Sequence, residues 1–143
     1  MTKGESVVQA LKAALAAGVP DAKVKRADGW PTRLDGGRMI LIFEDRDTDP
    51  DEMLGTEGPW YVEHPIVLGL AVEAGNADAR DAGFDALLAE VDAVLSADLT
   101  LGGAVFGMTY ARPAIDAEAF PGSAGIKAAV LEVTVEYQSD TRL

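Results

Sequence analysis

The chain has 143 residues, 48% hydrophobic and 25% charged, and we expect one globular domain spanning residues 1–143. It has no cysteine, which excludes disulfides, thiolate zinc sites and cysteine nucleophiles. The formal net charge of −12 argues against a protein that grips nucleic acid, because such a protein needs lysine and arginine to displace counterions from phosphates.

The first residues are too polar for the apolar core of a signal peptide. No apolar run approaches the roughly 20 residues that a helix needs to cross a bilayer. We therefore expect a soluble intracellular product with no membrane partner.

The first predicted helix spans residues 5–17. Its apolar positions recur with helical spacing on one face: Val7, Val8, Leu11 and Leu15. Alanines between them favour a helix, and Gly18 followed by Pro20 provides the signal to end it. Residues 22–27 are predicted as the first strand.

A turn-rich segment, residues 28–38, separates this strand from a short apolar strand over residues 39–43. Residues 60–74 are predicted as a long strand, because alternate side chains form two sets that would point to opposite faces of a sheet. One face carries Ile66, Leu68, Leu70 and Val72. We expect this strand to be buried mainly on that face.

The pattern then changes to a helical period over residues 75–98. The apolar stripe consists of Phe84, Leu87, Leu88, Val91, Val94 and Leu95. Asn76 or Asp78 is expected to cap the start of this helix, because a short polar side chain can accept hydrogen bonds from unpaired backbone N–H groups.

A turn over residues 99–103 precedes a predicted strand over about residues 105–112, and a loop with part of an extended edge follows over residues 113–122. The last strand, residues 126–137, alternates most cleanly, with Ala129, Leu131, Val133, Val135 and Tyr137 on one face. This order of elements predicts an α+β fold with a single largely antiparallel β-sheet and two α-helices packed on one face.

Residues 44–52 read EDRDTDPDE. The candidate functional acids in this stretch are Asp45, Asp47, Asp49, Asp51 and Glu52. An EF-hand starting at Asp45 requires glycine where Pro50 stands and a bidentate glutamate where Thr56 stands. We therefore expect an acidic surface loop rather than a calcium site.

The single histidine, His64, has no second histidine and no G-x-S-x-G elbow to complete a metal pair or a triad, so a structural role is expected. No catalytic, cofactor-binding or metal-binding residue is predicted. Trp30 and Trp60 flank the acidic stretch, each beside a proline. They are candidates for core packing or loop anchoring on one interpretation and for protein contact on the other.

The C-terminal half carries three linked patterns: A-x-x-R-D-x-x-x-D-x-L from Ala77, D-x-T-L-G-G-x-V from Asp98, and alternation ending in V-x-V-x-Y-x-x-D at Asp140. With these residues the chain resembles tail terminator proteins of long-tailed phages and phage-derived gene transfer agents. The matching positions are Arg80, Asp81, Asp85, Leu87, Asp98, Thr100, Leu101, Gly102, Gly103, Ala129, Val133, Val135 and Tyr137. The resemblance is strongest over residues 62–140.

The resemblance implies a homohexameric ring that caps the head-proximal end of a tail tube, stops tube polymerisation and offers a docking surface to the head connector. It implies a virion protein of the tail–neck junction, assembled in the host cytoplasm, with the tube protein and the connector or stopper as partners and without a cofactor. DNA would pass through the channel without specific binding, and we expect the acidic stretch to face the channel or an adjoining ring.

Two alternatives remain. Another neck, head–tail connector or tail-completion protein of the same fold would share these patterns. A small-molecule enzyme or a metal-binding module belongs to a different class, and an enzyme would show a pocket with convergent polar groups.

Overall fold

The computed structural model describes residues 1–34, 36–43, 51–52 and 59–141, and of residues 51–52 it describes the backbone alone. The helices are α1 (Lys3–Gly18) and α2 (Ala77–Ala97). The strands are β1 (Lys23–Ala27), β2 (Arg38–Phe43), β3 (Asp51–Glu52), β4 (Trp60–Glu73), β5 (Gly107–Tyr110), β6 (Ala114–Ile115) and β7 (Ile126–Ser139). This order agrees with the predicted one except for β3, because Asp51 and Glu52 were expected in a surface loop and instead pair with β4.

The described strands form one sheet in the order β1-β2-β4-β7-β5, with β3 also paired to β4 and β6 also paired to β7. β1 and β2 are parallel, and the other pairings are antiparallel. The two long strands, β4 and β7, pair over their full 14 residues and form the centre of the sheet. The predicted largely antiparallel sheet is confirmed.

Both helices pack on one face of this sheet, as predicted. The main core joins the apolar stripes of α1 and α2 to the inward residues of β2, β4 and β7. The helices come very close at Gly18, where a Cβ atom would overlap the side chain of Val94. The predicted cap is Asn76, whose side-chain oxygen accepts a hydrogen bond from the backbone N–H of Ala79 at 2.8 Å.

A second apolar cluster covers part of the opposite sheet face, called here the far face. It consists of Leu34, Met39, Leu41, Ala71, Ala119, Phe120 and Ala128. The expectation that β4 is buried mainly on one face is therefore wrong for its C-terminal half, where Gly69 and Ala71 are buried as well. The reason is that residues from the β1–β2 and β6–β7 connections fold over this half of the face.

The strand predicted near residues 105–112 is shorter than expected, since residues 99–106 form turns and only Gly107–Tyr110 pairs as β5. The expected extended edge is present as β6. In the described part of the chain, no helix combines the length and apolar character needed to cross a membrane.

Candidate assembly surfaces

The acidic stretch follows β2 and includes β3, and both of these strands pair with β4. Its candidate residues Asp45, Asp47 and Asp49 lie outside the described residues. Asp51 and Glu52 form β3, with Asp51 opposite Tyr61 and Glu52 opposite Trp60. The C-terminal end of the stretch is therefore joined to the start of the longest strand pair.

Trp30 is half-buried and packs among the loop residues that cover part of the far face. Its ring meets Phe43 edge-on at a centroid distance of 5.3 Å and Phe120 at 5.4 Å. Its indole N–H donates to Asp116 Oδ2 at 3.0 Å. These contacts join the β1–β2 connection to the β6–β7 connection.

Trp60 is 8% exposed and stands at the start of β4, opposite Ser139 of β7. The structure thus gives Trp30 and Trp60 partners within the chain. The contact of either tryptophan with another protein stays a prediction.

His64 is buried under the start of α1, with Nδ1 3.0 Å from the Tyr137 hydroxyl. A cavity of about 340 Å³ beside it is lined by Thr2, Gly4, Glu5, Val8, Arg26, Asp28 and His64. Within it Glu5 Oε1 accepts a hydrogen bond from Arg26 at 2.6 Å, and Thr2 is occupied as the N-cap of α1. The charges of Glu5 and Arg26 are therefore paired within the cavity.

The D-x-T-L-G-G pattern forms a tight turn after α2. Asp98 accepts hydrogen bonds from the hydroxyl of Thr100 at 2.7 Å, from its N–H at 3.0 Å and from the N–H of Gly102 at 2.7 Å. These bonds, with the Thr100 hydroxyl first, hold the pKa of Asp98 below its ordinary value. Leu101, Gly102 and Gly103 all have positive φ, at 50°, 70° and 90°. The motif therefore has a structural explanation.

This turn presents an aromatic residue that the sequence patterns did not single out. Phe106 is 59% exposed and stacks on Tyr61 of β4, with ring centroids 6.5 Å apart and planes 12° apart. Nearby, Glu63 and Glu136 stand directly opposite each other on β4 and β7. Like charges directly opposite each other destabilise a pair of strands. In the sequence, this surface is indicated only by a phenylalanine, Phe106, that precedes a glycine.

The N-terminal part of the chain and the remainder differ in the sign of their net charge. Residues 1–38 hold seven of the 12 basic residues and four of the 24 acidic ones (net +3), whereas residues 39–143 hold five and 20 (net −15). We call the side formed by α1 and β1 the basic flank, with Lys12, Lys23 and Lys25. The side formed by α2, β5 and β6 is the acidic flank, with Asp85 and Asp92.

A groove of about 310 Å³ runs along the acidic flank between α2 and the β5–β6 connection. Its floor is apolar and is formed by Leu88, Val91, Leu95 and Leu131. At its rim the Tyr110 hydroxyl donates to Asp92 Oδ1 at 2.7 Å. This hydrogen bond is the first cause of a raised pKa of Tyr110, which stays protonated at neutral pH.

Among the described residues, no group of three or more histidine, cysteine, aspartate or glutamate side chains is arranged to hold a metal ion. Neither a protein-family model nor a curated protein matches the chain in sequence. The solved structures are informative about the fold.

One chain of the structure described as an extracellular contractile injection system, PVC sheath/tube terminator in extended state, matches 92% of this chain at 17% identity with a TM-score of 0.54. The chain shares its fold with a sheath/tube terminator. It spans 55% of that chain's length. A chain of the virion of a native gene transfer agent particle matches 92% of this chain and 91% of its own length, at 16% identity and a TM-score of 0.49. The fold shared with the sheath/tube terminator structure confirms the expected resemblance to tail terminators at the level of the fold.

Proposed function

We propose that this chain is a structural virion protein and acts as the tail terminator of a phage tail or tail-like particle. It forms a ring, caps the head-proximal end of the tail tube, stops tube polymerisation and provides the docking surface for the head connector. The observation that carries the proposal is the fold shared over 92% of the chain with a sheath/tube terminator.

The described side chains support a role in assembly rather than catalysis. Glu5 and Arg26 neutralise each other in the polar cavity, and His64 is committed to Tyr137. By contrast, the exposed features are those of contact surfaces: the Phe106–Tyr61 stack, an apolar groove and two flanks of opposite charge.

We further propose that the acidic stretch, residues 44–52, faces the channel of the ring or an adjoining ring. A net charge of −12 on each copy makes a ring repel DNA phosphates, so DNA passes through without being held. Cryo-electron microscopy of the ring tests this directly. Acidic side chains on the outer circumference of the ring would contradict the channel placement.

The terminator role is tested by mixing the purified chain with tube subunits and imaging the products by electron microscopy. We expect tubes capped at one end by a ring, and shorter tubes as the ratio of this chain to tube subunits rises. Deletion of the gene should give particles with overlong tails.

Two outcomes would redirect the proposal. Normal tail length in the deletion strain, with heads that do not join tails, would assign the chain to another neck or tail-completion position. Tubes that grow past the added chain without a cap would remove the terminator role altogether.

A further inference from the structure

We infer that the subunit contact in the proposed ring is head-to-tail and joins the basic flank of one copy to the acidic flank of the next. This inference rests on the proposed ring and adds which surfaces meet in it. Its occupant is a second copy of this chain, because the two complementary surfaces belong to the same molecule.

The basic flank is built from α1 and the edge strand β1. Glu5 of α1 pairs with Arg26 of β1 at 2.6 Å, which identifies the side of α1 that faces β1. Lys12 follows Glu5 by seven residues, or two helical turns, and so lies on the same side. Lys23 is exposed at the start of β1. These positive charges stand on a molecule that is otherwise strongly negative.

The acidic flank is built from one side of α2. Asp81 contacts Lys127 of β7 at 3.1 Å, and Asp92 accepts a hydrogen bond from Tyr110 of β5. Asp85 lies between them, four residues after Asp81 and seven before Asp92, so all three point to the same side of the helix. Asp85 and Asp92 are exposed, and Asp92 lines the apolar groove together with Arg112.

The two flanks lie at opposite edges of the sheet, since β1 is its first strand and β5 its last. Different surfaces on opposite sides of one subunit give a heterologous contact, which closes into a ring when the rotation between copies allows it. The groove accepts the aliphatic stem of a lysine from the neighbouring copy, while the ammonium group reaches the carboxylates at the rim. Like copies approaching by the same flank repel each other, which favours the head-to-tail order.

The test is a charge swap between copies. Variant one is Lys12→Glu with Lys23→Glu, and variant two is Asp85→Lys with Asp92→Lys. We expect each variant alone to need at least a tenfold higher concentration than wild type to form rings, because two like-charged surfaces then face each other. Analytical ultracentrifugation measures the concentration dependence, and circular dichroism checks that each variant is folded.

An equimolar mixture of the two variants should restore rings. In a mixed ring, the reversed basic flank of variant one meets the reversed acidic flank of variant two. The two variants must therefore alternate around the ring. Native mass spectrometry should find equal numbers of both variants in every ring. The control is Arg33→Glu, which makes the net charge more negative at an exposed residue outside both flanks. It should form rings like wild type.

The outcomes separate the inference from the function on which it rests. If variant one or variant two forms rings at the same concentration as wild type, the proposed pairing of flanks is wrong, and the terminator role is unaffected. Disruption that the mixture does not rescue also overturns this pairing. If wild type forms no ring, either alone or on tube ends, the proposed function is overturned together with the inference.

Discussion

The imidazole Nδ1 of His64 lies 3.0 Å from the hydroxyl oxygen of Tyr137, in a hydrogen bond between β4 and β7 beneath the first turn of α1. Both side chains are buried, and a Cβ atom on Gly4 of α1 would stand 3.1 Å from the same hydroxyl. Burial raises the pKa of Tyr137, so the phenol stays protonated at neutral pH. The lone histidine therefore stabilises the junction of α1 with the central strands.

Tyr137→Phe removes this hydrogen bond and leaves a buried polar atom of His64 with one partner fewer. We expect the free energy of unfolding to fall by about 1–2 kcal/mol, which corresponds to a melting temperature lower by roughly 3–6 °C. Urea unfolding measures the loss. Tyr110→Phe is the control: it removes a hydrogen bond at an exposed rim and should change stability by less than about 0.5 kcal/mol. Equal losses in the two variants would contradict a special role for the buried pair.

Gly69→Ala tests the packing of the far face. A Cβ atom at Gly69 would stand 2.8 Å from Phe43 Cζ and 2.9 Å from Trp30 Cη2, so both rings must shift. We expect a loss of about 1–3 kcal/mol by thermal or urea unfolding. Gly107→Ala, also in a strand, places its Cβ in open space and should be neutral or stabilising by up to about 1 kcal/mol. A neutral Gly69→Ala would show that the aromatic cover is loosely packed.

Asp116→Ala tests the link between the two connections that cover the far face. The carboxylate accepts from the indole N–H of Trp30 at 3.0 Å and from the backbone N–H of Glu118 at 3.1 Å. Losing both bonds should cost about 1–2 kcal/mol, measured by urea unfolding. Glu118→Ala removes a neighbouring exposed carboxylate and should stay within about 0.5 kcal/mol of wild type. If both variants unfold alike, the Trp30–Asp116 bond does not secure the cover.

Asp98→Ala should lower the melting temperature at pH 7, because it removes three hydrogen bonds from the turn after α2. The folded-state pKa of Asp98 is lowered relative to the unfolded chain, so ionised Asp98 stabilises the fold above about pH 4. That contribution is lost as the pH falls through the lowered pKa. The melting-temperature difference between wild type and variant should therefore shrink below about pH 4. If the melting-temperature difference between wild type and variant stays constant from pH 7 to pH 2, the charge on Asp98 does not stabilise the turn.

The order of the elements was readable from the sequence because apolar periodicity is a local property. Five alternating apolar residues predicted β7, and the stripe that begins at Phe84 predicted α2, whose core-facing members include Leu87 and Val91. The short side chain of Asn76 before an alanine-rich segment predicted the cap in the same way. In each case the atoms that interact lie within a few residues of each other.

Contacts between distant segments were not readable in this way. Trp30 and Asp116 are 86 residues apart, and His64 and Tyr137 are 73 apart, so their partners depend on how the strands are ordered. The alternation of β7 predicts the face that carries Tyr137 but not the partner of its hydroxyl group. The covered half of the far face was missed because loops supply its cover, and loops carry no periodic signal.

The α+β composition, the faces of the helices and of β7, and the strong negative charge all follow from residue identity and spacing. Tertiary structure alone decided that β1 and β5 are the two edges of the sheet. That order places the positive N-terminal segment and the acidic side of α2 on opposite flanks. The charge of each segment can be counted from the sequence. Whether opposite charges lie on opposite edges of the sheet or neutralise each other depends on the sheet topology.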